Sequence, residues 1–240
     1  PKIIHLLKYI NMNNYSEQTL GQIVTQQHKA AFVFEKYNLD FCCKGKRSLI
    51  AACSEKGIPL ENIIHELNAQ AGDNVEKTPF EKMSATELID HILKYHHFYV
   101  KEYGSTIKDH LDKVAFKHGD KYPWMQEVAA DYTAVLNELL LHMQKEEILL
   151  FPRIERMEKS EKGTYPINFI SAPIGVMEAE HEVAGQYMEH IKELTNNYSW
   201  PETACTTHQV SMLELKEFEE NLHQHVHLEN NILFPKALNF

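Results

Sequence analysis

The 240-residue chain has few cysteines, few basic residues and no long apolar run. Its 4 cysteines exclude a disulfide-stapled scaffold, and two of them, Cys42 and Cys43, are adjacent, which is too close for an ordinary bridge. Stretches of roughly 20 apolar residues, as needed to cross a bilayer, are missing, so we expect no membrane span. A net charge of −10 argues against nucleic acid as a partner. We expect a cytoplasmic protein with reduced thiols.

Alternating patterns of β-branched residues are also scarce, so the predicted fold is all-α. Gly72 and Pro79 break the helical pattern, which predicts a small helical N-terminal domain over 1–75 and a four-helix bundle over 80–240. Short helices are predicted at 20–37, 48–56 and 59–70. Long helices are predicted at 84–117, 123–151, 173–194 and 203–234, with Pro152 and Pro235 ending the second and the fourth.

Histidine is the residue in excess, and two of the 15 histidines head a repeated motif. HMQKEEILLFPR begins at His142 and HVHLENNILFPK begins at His225, 83 residues further on. Each motif has a glutamate four residues after its first histidine, namely Glu146 and Glu229. Residues four apart share one face of a helix, so each copy directs an imidazole and a carboxylate to the same point.

The repeat extends beyond the two motifs. His97 and His181 are 84 residues apart and precede their motifs by 45 and 44 residues. Two copies of one helical hairpin, related by pseudo-twofold symmetry, would surround a common centre. The predicted metal ligands are therefore His97, His142, Glu146, His181, His225 and Glu229. Four imidazoles and two carboxylates suit iron, manganese or zinc, and two carboxylates able to bridge favour a pair of iron ions.

Some neighbours of these ligands are candidates for supporting roles. Glu138, one turn before His142, is a candidate for a proton path, and Glu180 beside His181 is similar. His96 is expected to point away from the core, because adjacent helical residues diverge by about 100°. His208 is expected at the surface.

The adjacent thiols are the other candidate site. Cys42 and Cys43 are followed by Lys44, Lys46 and Arg47, whose charges favour the thiolate. The pair is a candidate for docking, thiol redox chemistry or transient metal capture.

At the duplicated motif the chain resembles the hemerythrin-like four-helix bundles. From about Ser16 onward it resembles the repair-of-iron-centres family, through the stretches DFCC, VMEAEH and ETACTT at 40–43, 176–181 and 202–207. The resemblance implies two non-haem iron ions with an oxo or hydroxo bridge, held by the six residues above. It also implies repair of iron–sulfur clusters damaged by nitric oxide or oxidants.

The chain departs from an oxygen-carrying hemerythrin at two positions. Gly185 stands where a second histidine would follow His181, and Glu229 stands where an aspartate is usual. Both departures weigh against simple oxygen carriage. In the repair family two glycines commonly follow the cysteines, whereas this chain has Lys44 and Gly45.

Several functions remain open at this point. The preferred hypothesis is iron donation to proteins with damaged iron–sulfur clusters. The alternatives are an enzyme that reduces nitric oxide to nitrous oxide, a sensor or carrier of oxygen or nitric oxide, and a metal-free bundle. Because the N-terminal part has few core residues, a homodimer is a further expectation.

Overall fold

The computed structural model describes residues 15–27, 29–42, 44–70 and 79–240. These residues are α-helical apart from short connections and one isolated bridge between Thr19 and Ser48, so the all-α prediction is confirmed. In this part of the chain, no helix has the length and apolar character to cross a membrane. One compact unit comprises the described residues up to Ser84 together with Val226–Pro235, and the other comprises Ala85–His225 with Lys236–Phe240.

Short helices form the N-terminal part of the first unit. Thr19 caps the first of them, accepting a hydrogen bond from the Gln22 amide, while the Gln22 side chain accepts one from the Thr19 amide. At Gln27 the backbone leaves the helical region with φ −140° and ψ 86°, so the single helix predicted over 20–37 is wrong. The helices are α1 Leu20–Gln26, α2 Ala30–Lys36, α3 Leu49–Lys56, α4 Leu60–Gln70 and α5 Pro79–Lys82.

Four long helical segments follow, and three of them contain a π-helical turn. The second and third segments pack antiparallel, because Asp131 meets His190 whereas His142, further along the second, meets Glu180, earlier in the third. The third begins at Asn168, before its predicted start at Pro173. The elements are α6 Ala85–Ile92, π1 Leu93–His97, α7 Phe98–His118, α8 Trp124–Lys145, π2 Glu146–Leu150, α9 Phe151–Glu158, α10 Asn168–Leu194, α11 Thr206–Leu228, π3 Glu229–Leu233 and α12 Phe234–Ala237.

Pro152 and Pro235 do not end their helices, contrary to the prediction. The Phe151 amide donates to the Glu146 carbonyl, five residues back, as a π turn requires. Pro152 then lies at the start of α9, where a helix needs no amide donor. Phe234 and Glu229 repeat the arrangement before Pro235. The duplicated Leu-Phe-Pro therefore marks the end of a π turn.

His208 is fully buried in α11, so the expectation that it lies at the surface is wrong. Its ring meets that of Tyr122 edge-on, with centroids 5.1 Å apart. Neither ring nitrogen has a hydrogen-bond partner among the described residues. Burial lowers the pKa of His208 below its usual value.

His208→Leu is expected to raise the free energy of unfolding by about 1 kcal/mol near neutral pH, because a buried polar group without hydrogen bonds is costly. The gain should grow as the pH falls below about 6.5, since the unfolded chain then binds a proton on His208 that the folded chain does not. Urea titrations at about pH 7.5 and about pH 5.5 measure both effects. A variant less stable than the wild type at both pH values would contradict the assignment.

Candidate metal centre

The six predicted ligands are all buried, with at most 2% of each side chain exposed. The first and third long helices contribute one histidine each, and the second and fourth contribute a histidine and a glutamate one turn apart. The structure brings together all six: His97, His142, Glu146, His181, His225 and Glu229.

The six residues form two groups that share both carboxylates. In each group the ligand atoms lie within 4.8 Å of one another. The first group adds His97 and His225 to the two glutamates, and the second adds His142 and His181. Each group thus offers two imidazoles and two carboxylates to one point, with Glu146 and Glu229 common to both.

The carboxylate of Glu146 faces both ligand groups. Its Oε2 is 3.3 Å from Nε2 of His97, and its Oε1 is 3.3 Å from Nε2 of His142. One oxygen therefore serves each group. If each group held a cation, each of these two oxygens would face one of them.

The remaining geometry also fits metal ions. Nε2 of His142 and Nε2 of His181 are 2.9 Å apart. Two ligands on bonds of about 2.1 Å at a right angle would be roughly 3 Å apart. Two carboxylates buried as completely as Glu146 and Glu229 also need a compensating positive charge. The donor set is one that iron, manganese and zinc accept.

Three of the six ligands lie in π turns, which sequence reasoning did not anticipate. His97 is the last residue of π1, Glu146 the first of π2 and Glu229 the first of π3. Such turns widen a helix and commonly occur at functional sites. For π2 and π3 the signal in the sequence was the Leu-Phe-Pro that follows each glutamate.

His97 is oriented by a carboxylate on its far side. Its Nδ1 lies 2.7 Å from Oε1 of Glu147, which also accepts a hydrogen bond of 2.6 Å from Lys101. Burial raises the pKa of Glu147, but the hydrogen bonds from Lys101 and His97 outweigh it, so the net shift is downward. An ionised Glu147 fixes the proton on Nδ1 and directs the Nε2 lone pair to the centre.

Glu180 acts on His142 in the same way. Its Oε2 lies 2.9 Å from Nδ1 of His142, and its Oε1 pairs with Lys145. The pKa of Glu180 is lowered as well, since these two hydrogen bonds exceed the opposing effect of burial. One histidine in each group is therefore held by an ionised glutamate paired with a lysine.

Glu138, expected beside His142, is instead exposed on α8. Residues one turn apart are offset by about 40° around a helix, which here is enough to leave the buried face. The place predicted for Glu138 is occupied by Glu180, from the neighbouring helix. A proton path through Glu138 stays a prediction without support from its position.

His96 is buried, so the expectation that it points away from the core is wrong. Only 4% of it is exposed, and its ring stacks on that of His225 with centroids 5.6 Å apart. A π turn holds more residues than an α turn, so adjacent residues diverge less. Both His96 and His97 can therefore face the interior.

The Cys42 loop packs within the first compact unit against the segment that carries Glu229. Asn230 donates from Nδ2 to the Cys42 carbonyl, at 3.4 Å. The Cys42 thiol is buried and lies 3.2 Å from Oδ1 of Asp40. The thiol donates a hydrogen bond to this carboxylate, whereas Arg47, expected to favour the thiolate, pairs with Glu55. Cys43 lies outside the described residues, and a chemical role for the pair stays a prediction.

Glu147→Gln is expected to weaken metal binding by roughly 10- to 100-fold, because the amide can no longer polarise His97. Competition with a coloured chelator measures the loss. Lys101→Met should have a smaller effect in the same direction, since Glu147 remains. Unchanged affinity in Glu147→Gln would show that the contact does not tune the ligand.

The fold and the centre together define the class: an all-α bundle with a hemerythrin-type histidine–carboxylate centre. The family model described as the hemerythrin HHE cation binding domain matches residues 88–237. A second model, ScdA_N, described as a domain of unknown function (DUF542), matches residues 16–71. The two matches lie on either side of the boundary predicted between the domains, and the hemerythrin-like fold is confirmed.

Relatives extend over nearly the whole chain. The iron–sulfur cluster repair protein YtfE of Yersinia pseudotuberculosis serotype O:1b is 36% identical over 94% of this chain and 98% of its own length. The protein of the same name from Yersinia pestis strain Pestoides F is 35% identical over the same shares. The chain belongs to the family of these YtfE proteins.

Proposed function

We propose that the centre holds two non-haem iron ions and that the protein repairs iron–sulfur clusters by giving up this iron to damaged proteins. The observation that carries the proposal is the pair of ligand groups sharing Glu146 and Glu229. The name printed for the YtfE relatives, iron–sulfur cluster repair protein, supports the same function. The oxo or hydroxo bridge between the two ions is part of the proposal.

The ligand chemistry suits iron that has to leave again. The described ligand groups contain imidazoles and carboxylates and no thiolate. Such ligands hold ferrous iron less tightly than the sulfur ligands of an iron–sulfur cluster do. Transfer from this centre to an incomplete cluster is therefore favourable, with the iron ion as cargo.

The Cys42 loop is the proposed contact for the recipient. The Cys42 carbonyl accepts a hydrogen bond from Asn230, the residue that follows the ligand Glu229. Displacing the loop would disturb the backbone next to a shared carboxylate. A recipient protein that binds the loop would in this way weaken the binding of iron at the centre.

Reduction of nitric oxide to nitrous oxide is the second candidate. Two ligand groups with common carboxylates place two iron ions side by side, as the joining of two nitric oxide molecules requires. Two nitric oxide molecules take up two electrons and two protons to give nitrous oxide and water. Binding of nitric oxide or oxygen to the centre stays a prediction. Formation of a homodimer also stays a prediction.

Reactivation of a damaged dehydratase tests donation. The iron-loaded protein is mixed with a dehydratase whose iron–sulfur cluster has lost iron, in the presence of a chelator that traps released ferrous ion. The expected result is recovered dehydratase activity with an equivalent loss of iron from the donor. Equal recovery with the metal-free protein would contradict donation.

Nitrous oxide in the headspace separates the second candidate. An enzyme supplied with a reductant produces many equivalents of nitrous oxide per protein from added nitric oxide. A protein that only donates iron produces no more nitrous oxide than the electrons of its own ferrous ions can account for.

A further inference from the structure

His96 is a second buried histidine next to the ligand His97. Its Nδ1 lies 3.2 Å from the amide oxygen of Asn221. Because that oxygen accepts, Nδ1 carries the proton and Nε2 carries the lone pair, which is the form in which imidazole binds metal ions. His96 is thus a potential ligand held just outside the two groups.

Both histidines flank the same ligand. The ring of His96 is nearly parallel to that of His225, at 5° and 5.6 Å between centroids. The ring of His97 meets His225 edge-on at 5.0 Å. Both side chains therefore contact the ring of the same ligand, and a one-residue shift in helix register would exchange them beside His225.

This stretch of helix can change register because no proline follows π1. Pro152 and Pro235 follow π2 and π3 and leave those turns without the amide that an α-helical register needs there. After π1 the chain continues as α7, and Phe98 keeps an amide that now donates to Leu93. An α turn pairs this amide with the carbonyl four residues back instead of five.

The direction of the exchange follows from the register. A π turn contains one residue more than an α turn, so relaxing π1 shifts the helix by one position. Counted from Ile92, the residue just before His97 then takes the angular position around the helix that His97 holds in the π turn. That residue is His96.

We propose that His96 is an alternative metal ligand that replaces His97, beside Glu146, His225 and Glu229, when π1 relaxes to an α-helix. The inference rests on the metal centre proposed above. The second group has no neighbouring histidine to exchange: His181 lies between Glu180 and Glu182 in a helix without a π turn, and His142 lies between Leu141 and Met143. One of the two positions can thus change a ligand while keeping its ligand number.

Single and double substitutions test the exchange. His97→Ala is compared with His181→Ala, its counterpart in the repeat, which has no neighbouring histidine. Each is loaded anaerobically with ferrous iron, and bound iron and affinity are measured by chelator competition, with Mössbauer spectra of the loaded proteins. Far-ultraviolet circular dichroism checks folding, and His97→Gln and His181→Gln replace any alanine variant that does not fold.

The expected result is that His97→Ala keeps both ions with less than about a 10-fold loss of affinity, whereas His181→Ala loses roughly 10- to 100-fold or more. The loss of affinity in His96→Ala/His97→Ala should match that of His181→Ala and exceed the product of the separate losses in His96→Ala and His97→Ala. If His97→Ala and His181→Ala lose equal affinity while the wild type binds two ions, His96 is not an alternative ligand, and the metal centre itself still stands. Failure of the wild type to bind two ions would overturn the metal centre and this inference together.

Discussion

Glu146→Ala is expected to empty both metal positions, because one carboxylate supplies an oxygen to each group. Its two oxygens lie 3.3 Å from the Nε2 atoms of His97 and His142. Loss of a residue that only orients a ligand costs roughly 10- to 100-fold in affinity, so loss of the shared ligand should cost more than about 100-fold at each position. Bound iron per chain after anaerobic loading and desalting measures the effect.

Glu182→Gln is the matched control for that substitution. Glu182 is exposed on α10 beside the ligand His181, so the Glu182→Gln protein should keep both ions. A Glu146→Ala protein that still holds one ion with wild-type affinity would show that the carboxylate serves a single position.

Gly45→Ala is expected to disrupt the loop that carries Cys42. A Cβ at this position would lie 2.1 Å from the carbonyl oxygen of Phe41 and 3.0 Å from Oδ1 of Asn231. Because the closer atom belongs to the backbone, the loop itself has to move, at a cost of about 1–3 kcal/mol. Buried Cys42 should then react with an alkylating reagent more than about 10 times faster, as measured by peptide mass spectrometry.

Gly175→Ala on α10 controls for the added methyl group. No atom of the described residues lies within 4 Å of a Cβ there, so the variant should be as stable as the wild type or gain up to about 1 kcal/mol. Wild-type stability and a protected Cys42 in Gly45→Ala would contradict the tight packing of the loop.

The ligands of the centre could be predicted from the sequence because their spacing is local and occurs twice. His142 with Glu146 and His225 with Glu229 each share a helix face by their spacing alone. The matching offsets of His97 and His181 then tie the two halves to one centre. Neither step needs knowledge of how the helices pack.

The groups around the ligands could not be predicted, because their partners come from other helices. Glu180 rather than Glu138 reaches His142, since the approach of α10 to α8 decides the contact. His96 is buried because π1 alters the angle between neighbouring residues. Pro152 looked like a helix end because its effect depends on the π turn before it.

The central claim is that one centre of six side chains holds two iron ions. The measurement that tests it most directly is the number of ferrous ions tightly bound per chain after anaerobic loading and removal of excess metal. Two ions per chain in the wild type, both lost in Glu146→Ala, is the predicted result. A single ion per chain, or none, would contradict the centre as described.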